Sequence, residues 1–352
     1  MSKVKLCDVC VKQSSKYAQK DLNDLHGEYP VFGASGFIKN ISEYHQENDY
    51  VAVVKDGAGI GRTMFLPGKS SVIGTLQYLL PKKNVLPKYL YYAVRSMHLE
   101  KYYTGATIPH IYFKDYQKEE FNLPELSEQK NVVFILEKLE KVISYRKRQL
   151  ESLDKLVKSR FVEMFGDPVI NSRNWRTMQL QEVGEWKSGG TPSRTNIEYF
   201  KGDIDWYSAG ELNQLYLDGA IEKITQKAIE NSSAKMFHKG SMLVGMYDTA
   251  AFKMGILKKD SASNQACANV MPNESVHVVW LYYNLMNMKE YFLSNRRGIR
   301  QKNLSLGMIK KFEIPVPPLE LQYQFTSFTQ QVDKLKFSVI KQLSNTKKLI
   351  FL

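Results

Sequence analysis

The chain has 352 residues, 49 Lys and Arg against 36 Asp and Glu, and a net charge of +13 with a pI near 9.3. A hydrophobic fraction of 43% excludes wholesale disorder, and three cysteines exclude a disulfide scaffold. No apolar run reaches the ~18–20 residues of a membrane span, and Met1–Lys5 leads into no signal core, so a cytoplasmic protein with a polyanionic partner is expected. Nucleic acid comes first, because a basic surface gains affinity by releasing phosphate counterions; charge kept for solubility or for a membrane surface is the competing account.

In chain order, Cys7 and Cys10 have the spacing of half a zinc site. The third cysteine, Cys267, has no paired His spacing around it, so no metal is expected and the thiols read as buried or incidental. Asp49–Lys55 is an apolar strand entering a turn, and Thr63–Leu66 is the strand after it. The turn, Asp56-Gly57-Ala58-Gly59-Ile60-Gly61-Arg62, resembles a phosphate loop. Arg62 stands where a dinucleotide fingerprint has its third glycine, and a strand follows in place of a helix. A hairpin turn needing positive φ is the reading adopted, with Arg62 free to face DNA. The apolar run Tyr89–Tyr92 and a loop over Thr104–Tyr112 follow, the loop offering Thr107, His110 and Tyr112 as contact candidates.

Asn122–Gln129 then leads into a long helix. Spacings of three and four connect Val132, Leu136, Leu139, Ile143, Arg146, Leu150, Leu153, Val157, Arg160 and Met164, the spacing of a coiled coil. Phe165-Gly166-Asp167-Pro168 stops the helix.

The pattern then repeats. Gly240–Asp248 and Gly255–Leu257 match the first strand pair, Trp280–Tyr283 matches Tyr89–Tyr92, and Pro315–Gln322 matches Asn122–Gln129. Offsets are 192 between Asp56 and Asp248 and 193 between Leu150 and Leu343, but 174 between Leu6 and Leu180, so the first copy is shorter near its start. A second helix carries Phe325, Phe328, Val332, Leu335, Val339, Leu343 and Ile350, with Thr346 as its polar interruption. At ~1.5 Å per residue the first helix spans roughly 57 Å. One stripe of that length needs a partner, so an antiparallel intrachain pair is expected; the alternative is that each helix packs on its own domain. Such a pair is a rod, and a rod between two basic modules suits a split DNA site.

Two segments of the second copy have the chemistry of base or phosphate contact. Lys187–Arg194 is a loop of small, hydrogen-bonding residues that offers Lys187, Ser188, Thr191 and Arg194. Arg296, Arg297, Arg300, Gln301, Lys302 and Asn303 crowd one eight-residue stretch. Arg to guanine and Asn or Gln to adenine are bidentate pairs worth ~1–3 kcal/mol of discrimination each. Lys253 lies in the second copy's turn and is a further contact candidate. A solvated basic loop remains the plain alternative for each segment. Walker A, Asn-Pro-Pro-aromatic and acid-pair nuclease motifs are absent from the sequence, and its six histidines are scattered. These absences favour binding over catalysis.

Three stretches carry a family resemblance: the Lys187–Arg194 loop with Phe200-Lys201-Gly202-Asp203-Ile204-Asp205-Trp206-Tyr207, the helix opening at Leu319-Glu320-Leu321-Gln322, and the end of the first helix, Leu156–Pro168. Together they resemble the DNA-specificity subunit of type I restriction-modification systems, over the whole chain. The first copy departs from the pattern: Tyr29-Pro30-Val31-Phe32-Gly33-Ala34-Ser35-Gly36 stands where the glycine-rich loop and the Asp-Ile-Asp-Trp segment belong. The resemblance implies an α/β (α+β) fold with two mixed α/β target-recognition domains in pseudo-two-fold arrangement. The domains would be 1–126 and 169–318, with conserved helices at 127–168 and 319–352 forming an antiparallel coiled coil between them. It also implies recognition of a bipartite, asymmetric double-stranded DNA target, two methyltransferase (modification) subunits as partners, and restriction/translocase subunits joined through those. The chain itself would be non-catalytic and without cofactor; S-adenosylmethionine, ATP and Mg would bind the partner subunits. A free-standing DNA-binding regulatory protein and a nucleotide-using enzyme built on the Gly57–Gly61 turn are the alternatives.

Overall fold

The structure, a computed structural model, describes residues 2–105, 109–294 and 304–350. It divides into two compact units, Met1–Lys147 with Gln342–Leu352, and Arg148–Lys341.

The first unit runs β1 (Ser2–Lys5), α1 (Leu6–Val9), β2 (Cys10–Ser14), β3 (Tyr29–Gly33), β4 (Gly36–Ile41), β5 (Tyr50–Val54), β6 (Thr63–Leu66), β7 (Ser71–Val72), β8 (Leu76–Pro81), α2 (Pro87–Ser96), α3 (Phe113–Tyr116), β9 (Glu120–Leu123) and the start of α4 (Leu126–Phe165). Its main sheet has the order β2-β8-β5-β6, all antiparallel. A second sheet, β4-β3-β7, contains the parallel pair Phe32 and Val72. Tyr50-Val51-Ala52-Val53-Val54 is buried throughout because the strand has a core on each side. Val51 and Val53 pack with Leu6, Leu79 and Leu90, while Tyr50, Ala52 and Val54 pack with Val31, Val72 and Tyr78. Successive side chains point to opposite faces, so one apolar strand serves both.

The second unit holds the rest of α4, β10 (Arg176–Gln179), β11 (Gly184–Ser188), β12 (Ile204–Tyr207), β13 (Tyr216–Leu217), β14 (Glu222–Ile224), α5 (Gln226–Glu230), β15 (Met236–Phe237), β16 (Met242–Gly245), β17 (Met254–Leu257), β18 (Ser261–Ser263), β19 (Cys267–Pro272), α6 (Val278–Asn287), α7 (Lys289–Ser294), α8 (Leu306–Lys310), β20 (Glu313–Val316) and most of α9 (Leu319–Ile350). Its main sheet, β11-β19-β16-β17-β13, repeats the first with one added strand. The smaller sheet, β14-β12-β18-β15, again contains a parallel pair, Tyr207 with Ser263. The duplication read from the sequence is thus a duplication of topology. Tyr29–Gly33 is the counterpart of β12, so the divergent stretch of the first copy keeps the strand while losing its residues.

The seam of α4 is as expected: none of its ten positions is exposed. Gly166, at φ 77°, ends the helix with its N–H on the Val162 carbonyl at 2.8 Å. Within the second unit, Phe325 meets Phe161 and Phe165 edge-on at 5.4 and 5.5 Å, Arg160 lies over Phe328 at 6.0 Å, and Lys336 pairs with Asp154 at 2.6 Å. Partners descend on α9 as they ascend on α4, so the two run antiparallel. In the first unit, Leu349 shares a cleft with Val132 and Leu136, in the same sense. One seam residue differs from expectation. Leu335 is 56% exposed, and the half-buried Lys336 takes its place, its stem packed and its ammonium on Asp154. The Ile350 side chain lies outside the described residues.

Candidate nucleic-acid interface

Each unit presents a hairpin turn with a later loop pinned beside it. In the first unit, Val54 and Arg62 close the hairpin between β5 and β6: the Val54 N–H reaches the Arg62 carbonyl, and the Gly61 N–H the Val54 carbonyl, both at 2.9 Å. Gly57, Gly59 and Gly61 have φ of 83°, 91° and 78°, so the glycines serve the turn. A Cβ on Gly61 would fall 2.5 Å from the Glu100 nitrogen, a second reason for glycine there. The second unit closes the same way: Phe252 N–H to Gly245 carbonyl at 2.9 Å, Gly245 N–H to Lys253 carbonyl at 2.8 Å. Arg62 and Lys253 therefore hold one position in the two copies. Phe252 takes a φ of 54° without glycine's freedom, held by full burial and by stacking on Phe292 at 5.0 Å.

The pinned loop returns through matching hydrogen bonds. The Ile111 N–H donates to the Lys55 carbonyl, and the Leu304 N–H to the Met246 carbonyl, both at 2.9 Å. In the first unit two more links join loop to turn: the Gly57 N–H reaches the Pro109 carbonyl at 2.9 Å, and His110 Nδ1 lies 2.7 Å from Asp56. His110 stacks on Tyr112 with centroids 6.3 Å apart, and the Tyr112 ring is half exposed. His110 and Tyr112 are thus held against the turn, while Arg62, on the same turn, lines a separate cleft with Arg95, His98 and Glu100. The exposed Arg62 places one guanidinium nitrogen on the Ala34 carbonyl at 2.9 Å. Thr107 and the segment Arg296, Arg297, Arg300, Gln301, Lys302 and Asn303 lie outside the described residues. Leu304, the residue that follows that segment, is anchored beside the Lys253 turn.

Lys187–Arg194 is less free than its composition suggests. Gly189 and Gly190 donate to the Cys267 and Ser263 carbonyls at 3.0 and 2.9 Å. A Cβ on Gly190 would fall 2.0 Å from the Ser233 carbonyl, so glycine stands there for close approach. Lys187 pairs with Glu185 at 2.7 Å on β11, which ends at Ser188, and Thr191 hydrogen-bonds Gln265. Arg194 forks onto Glu222 at 2.5 and 2.8 Å and stacks over Phe200 and Trp206 at 4.4 and 5.0 Å. Its hydrogen-bonding edge is committed inside the unit.

Sequence reasoning missed Lys12, Lys55 and Lys114, which line one cleft of the first unit. The available signal was Lys12 and Ser14 on the same side of β2, two residues apart. Burial pushes the thiols of Cys10 and Cys267 up to about 12, which keeps them protonated and unreactive. Among the described residues, no three His, Cys, Asp or Glu side chains come together as a metal site, and no helix is long and apolar enough to cross a membrane.

The model of the type I restriction modification DNA specificity domain matches residues 1–155 and again 172–347. The chain belongs to that family. It carries the domain twice, once in each copy of the repeat. A type I restriction enzyme specificity subunit of Escherichia coli is 23% identical over 359 residues, covering 94% of this chain and 86% of that one. The MjaIX specificity subunit of Methanocaldococcus jannaschii is 28% identical over 187 residues, covering 51% of this chain and 43% of that one, so the match spans less than half of that relative. Among solved structures, the type I restriction-modification S subunit of M. genitalium superposes with a TM-score of 0.61 at 16% identity, covering 99% of this chain and 93% of that one. At that identity the likeness carries the fold alone.

Proposed function

We propose that this chain is the specificity subunit of a type I restriction-modification complex, reading a split, asymmetric DNA sequence with one half assigned to each copy of the domain. The observation that carries the reading is one framework used twice with unlike loops. The hairpin closure and the loop anchor recur bond for bond, while Arg62 becomes Lys253, and Thr104–Tyr112 gives way to a stretch with three arginines. A shared frame with divergent edges is what two readers of different half-sites require.

In this reading residues 1–126 and 169–318 are the two target-recognition domains, and the helices at 127–168 and 319–352 are the spacer that sets the unread interval. Arg62, His110 and Tyr112 serve the first domain. Lys253 and Arg296–Asn303 serve the second, with Lys187, Ser188 and Thr191 at its edge. Two modification subunits dock on the chain and supply adenine methylation; restriction subunits join through them. The protein's own part is recognition, in the cytoplasm.

Methylome sequencing of cells with and without the gene tests the proposal. A two-part adenine-methylated motif is expected to vanish on deletion and return on complementation. An unchanged set of methylated motifs would overturn it.

A further inference from the structure

A cleft of about 370 Å³ opens in the first unit between β2, the end of β5 and α3. Lys12, Lys55 and Lys114 line it, with the Ser14 hydroxyl and the Tyr112 ring; Gln77, 3% exposed, also contributes to the wall. The one acid in the lining, Asp56, is already occupied by His110 at 2.7 Å and by Lys55 at 3.6 Å. Lys12 and Lys114 form no ion pair among the described residues. Lys114 rests its ammonium 5.5 Å from the centre of the Tyr112 ring, a contact that orients the charge without neutralising it. Two unneutralised ammonium groups in one cleft repel each other, and an anion between them relieves that cost.

The duplicated framework gives an internal comparison. Strand register places Lys12 opposite Leu79 and Ser14 opposite Gln77; in the second unit Trp186 is opposite Val270 and Ser188 opposite Ala268. Lys12 thus corresponds to the buried Trp186, and Gln77 to Ala268. By the loop anchors Lys55 corresponds to Met246, and Lys114 falls at Gly307. The fold does not need these polar residues, since its second copy does without them.

We infer that this cleft is a phosphate site for the backbone of duplex DNA, present in the first unit and absent from the second. The inference rests on the DNA-reading role above. Lysines act as point charges on phosphate. Tyr112 makes the cleft continuous with the surface that carries His110. A backbone contact fixes register on the duplex and reads no base.

The test is DNA binding by the full chain to duplexes of several unrelated sequences, followed by fluorescence anisotropy between about 50 and 200 mM salt. Each phosphate contact contributes about 0.9 to the slope of log affinity against log salt. Combining Lys12→Gln with Lys114→Gln is expected to lower that slope by about 1.8 and to weaken every sequence by the same factor. Lys12→Arg with Lys114→Arg should restore the slope. Lys334→Gln with Lys341→Gln on α9 removes equal charge and should leave the slope nearer that of the parent. Melting curves confirm that each variant is folded.

An unchanged slope in the double glutamine variant, with parental binding intact, overturns the cleft and leaves the DNA-reading role standing. An equal drop in the α9 control overturns it as a site, since overall charge then explains the effect. Stabilisation of the parent but not the variant by inorganic phosphate, with the DNA slope unchanged, assigns the cleft to a free anion and also overturns it. A parent chain that binds no duplex removes both this inference and the reading beneath it.

Discussion

Gln129 and Gln322, 193 residues apart, make the same three hydrogen bonds. The Gln129 carbonyl accepts the Leu86 N–H at 2.8 Å, and its amide donates to the Asn84 and Pro124 carbonyls at 3.0 and 2.9 Å. The Gln322 carbonyl accepts the His277 N–H at 2.8 Å, and its amide donates to the Ser275 and Pro317 carbonyls at 3.2 and 2.9 Å. Both side chains are fully buried. Each ties the first turn of a long helix to the loop before the shorter helix packed on it. Buried backbone groups left without partners cost about 1–3 kcal/mol each. Gln322→Ala is therefore expected to destabilise the second unit by at least about 2 kcal/mol, with a matching loss in the first unit for Gln129→Ala. Denaturant unfolding followed by Trp fluorescence and by circular dichroism measures it. A loss below about 0.5 kcal/mol, the level of an ordinary surface change, would show that the clasp is incidental.

The seam of α9 makes a second prediction. Phe325 is fully buried against Phe161 and Phe165, whereas Leu335 is more than half exposed. Phe325→Ala should cost about 3–5 kcal/mol, and Leu335→Lys should stay within about 0.5 kcal/mol. The same unfolding measurement separates them; equal costs would place Leu335 back in the seam.

The Leu335 misreading shows where sequence stops informing structure. Periodicity scores a leucine as apolar and a lysine as solvated. The helix buries Lys336 because its stem is apolar and Asp154 waits for its ammonium. The duplication was legible because strand composition and offsets survive divergence, and the glycine turn because its φ values leave few other residues. Arg194 shows the opposite case. Its charge is visible in the sequence, but Glu222, 28 positions on, and the Trp206 ring become partners only in the fold. Lys12, Lys55 and Lys114 are far apart in sequence, and only β2, β5 and α3 bring them to one cleft.

His277 makes the second unit sensitive to acid. Its Nδ1 accepts the Val279 N–H at 3.3 Å and lies 3.1 Å from the Thr326 hydroxyl, so it serves as a cap only when unprotonated. Burial holds its pKa below the ordinary histidine value of 6.5. The unfolded chain therefore takes up the proton first. The contribution to stability is fully present above pH 6.5 and is lost as pH falls through the lowered folded value. Leu86 occupies the matching position of the first copy, so His277→Leu is the natural variant. Between neutral pH and about pH 5 the parent should lose more melting temperature than the variant. Parallel curves would count against His277 as the titrating group.

The Gly190 and Arg194 contacts predict that Lys187–Arg194 acts through its shape more than through its charge. A methyl group on Gly190 has no room beside the Ser233 carbonyl at 2.0 Å, and the Ser233–Ala234 backbone cannot yield as a flexible side chain would. Gly190→Ala is expected to displace the loop, lower the melting temperature of the second unit and weaken methylation at every copy of the target. Arg194→Gln breaks the fork onto Glu222 and the stack on Trp206, which are contacts internal to the unit. It should lower the melting temperature while leaving the methylated sequence unchanged at each base position. Methylome sequencing of cells carrying each variant reads both effects. If Arg194→Gln relaxed the motif at one base pair, the guanidinium would have to leave Glu222 to read that base, and the loop would be a direct reader after all.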